Sequence, residues 1–214
     1  MNIAVVDCGS GNLRSVVRAV ERAASLCEIA TTVTVTQDPD HIAAADRLVL
    51  PGQGAFASCL HGLAMVDGLH EALTHAVMQR GTPFLGICIG MQLMAYVGEE
   101  HGQHKGFGWI PGRVTALRPS DPSFKVPHMG WNALVIQEPA HPILANLPPD
   151  PHVYFANSYQ FVCDRAEDRL AWTDFAGPVT AVVGRDNFVG TQFHPEKSQA
   201  VGLAVLQQFM RWNP

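Results

Sequence analysis

Cys88 sits at the centre of Gly86-Ile87-Cys88-Ile89-Gly90, and the apolar run Pro83-Phe84-Leu85 leads into it. A nucleophile between glycines at i−2 and i+2 is the pattern of a sharp strand-to-helix turn that lifts one side chain above the carboxyl end of a sheet. Glycine is needed on both sides because a Cβ has no room where the backbone segments crowd. The partial positive charge at the start of the following helix favours a thiolate there. The Ile89 N–H would face the place where an oxyanion forms. The chemistry implied is attack by sulfur on a carbonyl carbon. An inert cysteine packed between a strand and a helix would give the same five residues, so the turn does not decide by itself.

A thiolate that attacks a carbonyl needs a proton partner. Among the ten histidines, His194 stands out by its context, Val189-Gly190-Thr191-Gln192-Phe193-His194-Pro195-Glu196. An apolar strand ends there against Pro195. In extended chain, residues two apart face the same way, which sets Glu196 beside His194 to fix its ring orientation and tautomer. That is a nucleophile, base and orienter in their usual relation; the plain alternative is a surface His-Pro-Glu turn. A second oxyanion donor is offered by Pro51-Gly52-Gln53-Gly54, which follows the apolar run 47–50. In a parallel sheet this loop opens at the same edge as the cysteine turn. Its glycines let an N–H of Gly52 or Gln53 swing inward, and one such donor contributes about 10²–10³ in rate. Gly9-Ser10-Gly11 lacks the third glycine and the later acidic residue of a dinucleotide fingerprint, and that reading is rejected.

The elements that must hold these groups follow from periodicity. Residues 3–6, 32–36, 47–50 and 83–87 read as strands. Residues 13–24, 68–79 and 90–97 read as helices, the first with Leu13, Val16, Val17, Val20 and Ala24 at helical spacing. Strands separated by helices imply a parallel sheet with crossover helices. From 106 to 190 the runs are short and β-rich, at 113–117, 133–136, 152–155 and 179–183, and predict antiparallel hairpins on the edge of that sheet. Residues 199–212 predict a closing amphipathic helix with Val201, Ala204, Val205, Phe209 and Trp212 on one side. The expected architecture is an α/β three-layer sandwich with a mostly parallel, flavodoxin-like sheet and an antiparallel excursion, in one domain over residues 1–214.

Composition narrows the function classes. Hydrophobic residues are 47% and charged residues 15%, enough for a sizeable core and too apolar for a disordered chain. The net charge of -5, without a basic stripe, speaks against nucleic acid. The apolar run 87–97 is too short to span a membrane. The first residues carry no basic region of a signal peptide, so a cytoplasmic protein is expected. The five cysteines, Cys8, Cys27, Cys59, Cys88 and Cys163, form no CxxC pair or Cys/His cluster. Free thiols and no metal are the expectation.

Several segments together, DCGSGNLRS, PGQGAF, GICIGMQ, HMGWN, YFANSY and GTQFHPEKS, span nearly the whole chain. They resemble the class I (triad) glutamine amidotransferases, and within them the branch of glutaminase subunits of imidazole glycerol phosphate synthases. Members serving anthranilate or guanylate synthesis usually carry PGG or PGP loops and lack HMGWN. The resemblance implies that Cys88 attacks the glutamine carboxamide, that His194 protonates the departing ammonia, and that Glu196 holds His194. It implies that Gly52, Gln92 and the backbone near Ser158 and Tyr159 bind glutamine, and that no cofactor is needed. It also implies a partner, a cyclase subunit built as a (β/α)₈ barrel, which uses the ammonia to make imidazole glycerol phosphate and an aminoimidazole carboxamide ribotide in histidine biosynthesis. Asn12, Met129, Trp131 and Lys197 are the residues it places against that barrel, although a Trp in a β-rich segment ordinarily packs in a core. Two positions depart from the family pattern. Gln53 stands where a small apolar residue is expected, and Asn157 where histidine is usual.

Overall fold

The computed structural model describes residues 1–214. Strand β1 (Asn2–Val6) buries four consecutive side chains, Ile3 to Val6, as a strand covered on both faces must. Helix α1 (Leu13–Leu26) leads back to β2 (Thr32–Thr36), which runs parallel to β1. Asn12 caps α1 through its Oδ1, which accepts the Ser15 N–H, and Val16, Val20, Ala23 and Ala24 form the buried stripe. A short α2 (Pro39–Ala44), capped by Asp38, then delivers β3 (Arg47–Gly52) to the other side of β1. Helices α3 (Phe56–Ala64) and α4 (Leu69–Met78) cross to β4 (Phe84–Cys88), parallel to β3, and α5 (Ile89–Gln92) follows at once.

The helix predicted over 90–97 is a single turn. The reason lies in the next segment. The Leu93, Met94 and Ala95 carbonyls accept the N–H groups of Phe107, Ile110 and Gly108 instead of continuing the helix. Gly106 permits this approach, since a Cβ there would overlap the Ala95 carbonyl. Chain freed in this way forms β5 (Val97–Gly98), β6 (His104–Lys105) and β7 (Gly112–Ala116).

Strands β8 (His128–Ala133), β9 (Val135–Ile136), β10 (His152–Asn157), β11 (Tyr159–Cys163), β12 (Arg169–Asp174), β13 (Pro178–Arg185) and β14 (Phe188–Thr191) complete the β structure. The main sheet has the order β2-β1-β3-β4-β14-β13-β12-β9, parallel from β2 to β14 and antiparallel beyond. The antiparallel prediction therefore holds for 179–183, but 113–117 and 152–155 leave the main sheet. The first joins β11, β5 and β6 in a four-stranded sheet, and the second pairs with β8 alone. The run 133–136 is broken at Leu134, with Ala133 closing β8 and Val135 opening β9.

Helix α6 (Gln199–Arg211) closes the chain, with Val205, Leu206, Phe209 and Met210 buried. The predicted face is rotated slightly, because Gly202 lets the helix press on Pro195 and Ser198 and leaves Val201 and Ala204 only half-buried. One cluster of 51 buried apolar residues runs from Ile3 to Trp212 and so joins both halves of the sequence. No helix is long and apolar enough to cross a membrane.

The cysteine expectation needs correction. Cys8 and Cys59 form a disulfide, with Cα atoms 5.2 Å apart, and only Cys27, Cys88 and Cys163 are free. The pairing depends on tertiary packing: Gly62 lets α3 lie directly against the Cys8 backbone, which brings Cys59 opposite Cys8. A spacing of 51 residues carries no trace of it.

Candidate active site

Three strands end at one edge of the sheet and bring the singled-out residues together. Cys88 is the last residue of β4 and has φ 54° and ψ −107°. A non-glycine residue there costs on the order of 1–3 kcal/mol, and the surrounding packing must hold it. The flanking glycines supply that packing. A Cβ on Gly86 would lie 2.6 Å from the Gly90 carbonyl, and one on Gly90 would overlap the Leu50 carbonyl. The elbow is therefore wedged between its own following turn and β3.

Parallel register brings the other two segments beside it. Gly52 is the register partner of Cys88, so the Pro51-Gly52-Gln53-Gly54 loop opens next to the sulfur. A Cβ on Gly52 would lie 2.8 Å from the Ile89 Cβ and 3.1 Å from the Gly90 N, which accounts for the glycine. Gln53 is exposed at the rim. Beyond this loop Ala55 has no side chain to cap α3, and the Glu100 carboxylate takes the Phe56 N–H at 2.7 Å instead. On the other side Thr191 of β14 pairs with Ile87, which carries Gln192 and His194 past Cys88.

His194 is buried, and its Nδ1–H donates to Glu196 Oε1 at 2.8 Å. Glu196 lies on a 3₁₀ turn, Pro195–Lys197, so the contact predicted from strand alternation is made by a turn. The His194 N–H donates to the Tyr154 carbonyl, and Ser198 Oγ donates to the His194 carbonyl at 2.7 Å, which fixes the turn. Burial by itself pulls the His194 pKa down. Hydrogen bonds to Cys88 and Glu196, with their charges, outweigh it and raise the pKa to about 9. The imidazole holds its proton at neutral pH, beside a sulfur and a buried carboxylate.

Cys88 and His194 line a cleft of about 380 Å³ together with Gln53, Ile89, Gln92, Asn157, Ser158, Tyr159, Met129 and Lys197, while Glu196 lies behind His194 and outside it. Gln92 is buried, and its Nε2 donates to Gln192 Oε1 at 2.9 Å and lies 3.5 Å from the Tyr159 carbonyl. Asn157 Nδ2 donates to the same carbonyl at 2.9 Å. Gln92 Oε1 and Asn157 Oδ1 are buried acceptors without a protein donor, a state suited to receiving N–H groups of a bound molecule. No three His, Cys, Asp or Glu side chains are grouped to hold a metal ion.

Met129 and Trp131 point outward from β8, 63% and 46% exposed, so Trp131 is not a core residue. Its ring meets Tyr154 edge-on at 6.0 Å, and Lys197 Nζ lies 5.9 Å from the Tyr154 centroid. These residues form a band at the mouth of the cleft. Asn12 is exposed at the start of α1 and does not line the cleft. His128, on the opposite face of the HMGWN segment, points inward. His128 is clamped between Phe155 and Phe175, at ring separations of 4.6 and 4.0 Å, and burial lowers its pKa to about 4.

Sequence reasoning passed over Gln192 and Glu100. Gln192 follows β14 directly, two residues before His194, and that spacing is the available signal. Glu100 offered none, since its role depends on how α3 docks.

Comparison with known proteins agrees with this geometry. The model of the family described as glutamine amidotransferase class-I matches residues 4–211. The imidazole glycerol phosphate synthase subunit HisH of Rhodospirillum rubrum is 52% identical over 214 residues, covering 100% of both chains. That of Rhizobium meliloti is 52% identical over 217 residues, again over 100% of both. A solved glutamine amidotransferase shares the fold at TM-score 0.70 and 16% identity, covering 97% of this chain and 98% of its own. One from Thermotoga maritima does so at TM-score 0.63 and 15% identity, over 92% and 76%. With its strained cysteine turn, its buried histidine–carboxylate pair and a full-length match of this strength, the chain belongs to the class-I glutamine amidotransferase family, among the HisH subunits of imidazole glycerol phosphate synthase.

Proposed function

We propose that this chain hydrolyses glutamine to glutamate and ammonia and passes the ammonia to a cyclase subunit. The observation that carries the reading is Cys88, held at φ 54° beside a His194 that is bonded to a buried Glu196. The Cys88 thiolate attacks the side-chain carboxamide carbon of glutamine. Backbone N–H groups of Ile89 and of Gly52 or Gln53 receive the oxyanion. The C–N bond breaks as His194 gives its proton to the leaving ammonia, and a thioester remains. Water, deprotonated by His194, attacks the thioester; glutamate leaves and the thiol is restored. Glu196 keeps the imidazole in the tautomer and orientation that both proton transfers need. Gly52, Gln92 and the Ser158-Tyr159 backbone hold the glutamine. The open oxygens of Gln92 and Asn157 support this placement as acceptors for its nitrogen atoms.

The partner in this reading is a (β/α)₈ barrel that closes imidazole glycerol phosphate and releases aminoimidazole carboxamide ribotide. Met129, Trp131 and Lys197 at the mouth of the cleft, with Asn12, meet it, and the exposed aromatic and thioether surface supports that role. Residues 1–214 act as a single domain, without cofactor, in the cytoplasm. Glutamate release is the test. The isolated chain and its complex with the cyclase subunit are given glutamine, with and without the cyclase nucleotide. Release in the complex supports the reading, and no release under any of these conditions would end it.

A further inference from the structure

Beside the triad lies a side chain that the mechanism above does not use. Gln192 is completely buried, and its Nε2 lies 3.6 Å from Cys88 Sγ. Its Oε1 accepts from Gln92 Nε2 at 2.9 Å. With the oxygen end occupied by a donor, the nitrogen end is the one that must face the sulfur. The backbone is equally fixed, because Gln192 N–H donates to the Ala181 carbonyl at 2.8 Å and Thr191 is in register with Ile87. The network continues outward. The Tyr159 carbonyl lies 3.5 Å from Gln92 Nε2 and accepts from Asn157 Nδ2 at 2.9 Å. Three side-chain amides thus run in line from β10 to the nucleophile.

We infer that Gln192 is a positioning residue for the amide-hydrolysing reaction: its amide N–H donates to Cys88 Sγ and fixes where the sulfur sits before attack. The inference rests on the reading of Cys88 as the nucleophile. Cys88 leaves its strand at a positive φ, so neither strand nor helix geometry dictates where its side chain points. An N–H aimed at the sulfur supplies that constraint. It is also strongest when the sulfur is ionised, because hydrogen bonds to anions are about twice as strong as neutral ones. One short segment then supplies two functions, Gln192 holding the sulfur and His194 moving the proton, two residues apart on the same side of the chain. Misplacement of a reacting atom by about 1 Å can cost on the order of a hundredfold in rate.

Two variants test it, each in the full-length chain. Gln192→Met keeps the length and removes the donor. Gln192→Glu keeps the shape and leaves an oxygen for Gln92. Both are assayed in complex with the cyclase subunit for kcat and KM with glutamine, and as the isolated chain for Cys88 alkylation by iodoacetamide. Thermal midpoint and co-elution with the cyclase subunit report on folding. The expected result is a kcat lower by about ten- to a hundredfold in both variants. In Gln192→Glu the KM stays within about threefold, since the contact with Gln92 is kept, and Cys88 alkylation slows, since the donor to the sulfur is gone. Wild-type kcat and alkylation in Gln192→Met would overturn the proposal. So would an effect confined to KM, which would place Gln192 in glutamine binding through Gln92. If Gln192→Met does not fold, Gln192→Glu decides alone. If the wild-type complex released no glutamate, the functional reading would fall, whereas the alkylation rates, which need no glutamine, would still decide the role of Gln192.

Discussion

Replacing Glu196 by glutamine separates the orienting role from the proton-transfer role. The carboxylate is 2% exposed and meets His194 Nδ1 at 2.8 Å, while its Oε2 is buried without a donor. Glutamine can keep the first contact by turning its oxygen to His194, but the acceptor is then neutral and the gain from the carboxylate charge is lost. Hydrogen bonds to charged groups contribute about 1.5–3 kcal/mol and neutral ones about 0.5–1.5. The difference, about 1–2 kcal/mol, corresponds to roughly a five- to thirtyfold loss of kcat. The amide nitrogen would occupy the place of Oε2 with no acceptor, so folding stability falls too, by about 1–3 kcal/mol. His194→Ala removes the base itself and costs about 10²–10⁴. The pH profile gives a second reading. The Glu196 charge helps hold the His194 pKa at about 9 against burial. Its loss moves the basic limb of the kcat profile to lower pH, because the protonated imidazole is given up earlier. Steady-state kinetics in the cyclase complex, with thermal melts, measure all three effects. A Glu196→Gln loss equal to that of His194→Ala, or an unmoved basic limb, would refute the orienting role.

Two further outcomes follow from the two faces of the β8–β10 ribbon. Burial lowers the His128 pKa to about 4 from an unfolded value of 6.5. Its stabilising contribution is complete above pH 6.5 and is lost as pH falls towards 4, by about 3 kcal/mol in all. His128→Phe should flatten the acid side of the stability profile in denaturant titrations, and an unchanged slope would show that His128 does not set it. Lys197→Glu puts a negative charge in the Met129, Trp131 and Tyr154 band. Lys197 is only half-buried, so the thermal midpoint should fall by no more than about 2–4 °C, the shift about 1 kcal/mol makes in a chain of this size, while cyclase binding weakens in titration calorimetry; unchanged affinity would remove Lys197 from the interface.

The parts of the site written in adjacent residues were legible in the sequence. The glycines around Cys88 reveal the elbow because steric crowding there is local. The His194-Glu196 spacing reveals the pair, although a 3₁₀ turn rather than strand alternation closes it. The parallel core is legible because buried strands are continuous apolar runs. What failed depends on contacts between distant segments. The helix over 90–97 stops because residues 106–110 capture its carbonyls. The Cys8–Cys59 bond exists because α3 docks on the loop after β1. Gln192 acquires its place only once the register of β14 on β4 is known. The exposure of Trp131 likewise depends on tertiary packing: the β8–β10 ribbon buries its His128 and Phe155 face and leaves the opposite face, with Met129 and Trp131, uncovered.

In the proposed function, Cys88 liberates ammonia from glutamine for a reaction completed elsewhere. Cys88→Ala in complex with the cyclase subunit tests it most directly, with product formation followed from glutamine and, separately, from ammonium salts. Synthesis from glutamine should disappear while synthesis from ammonium continues at the wild-type rate. Continued use of glutamine by the alanine variant would contradict it.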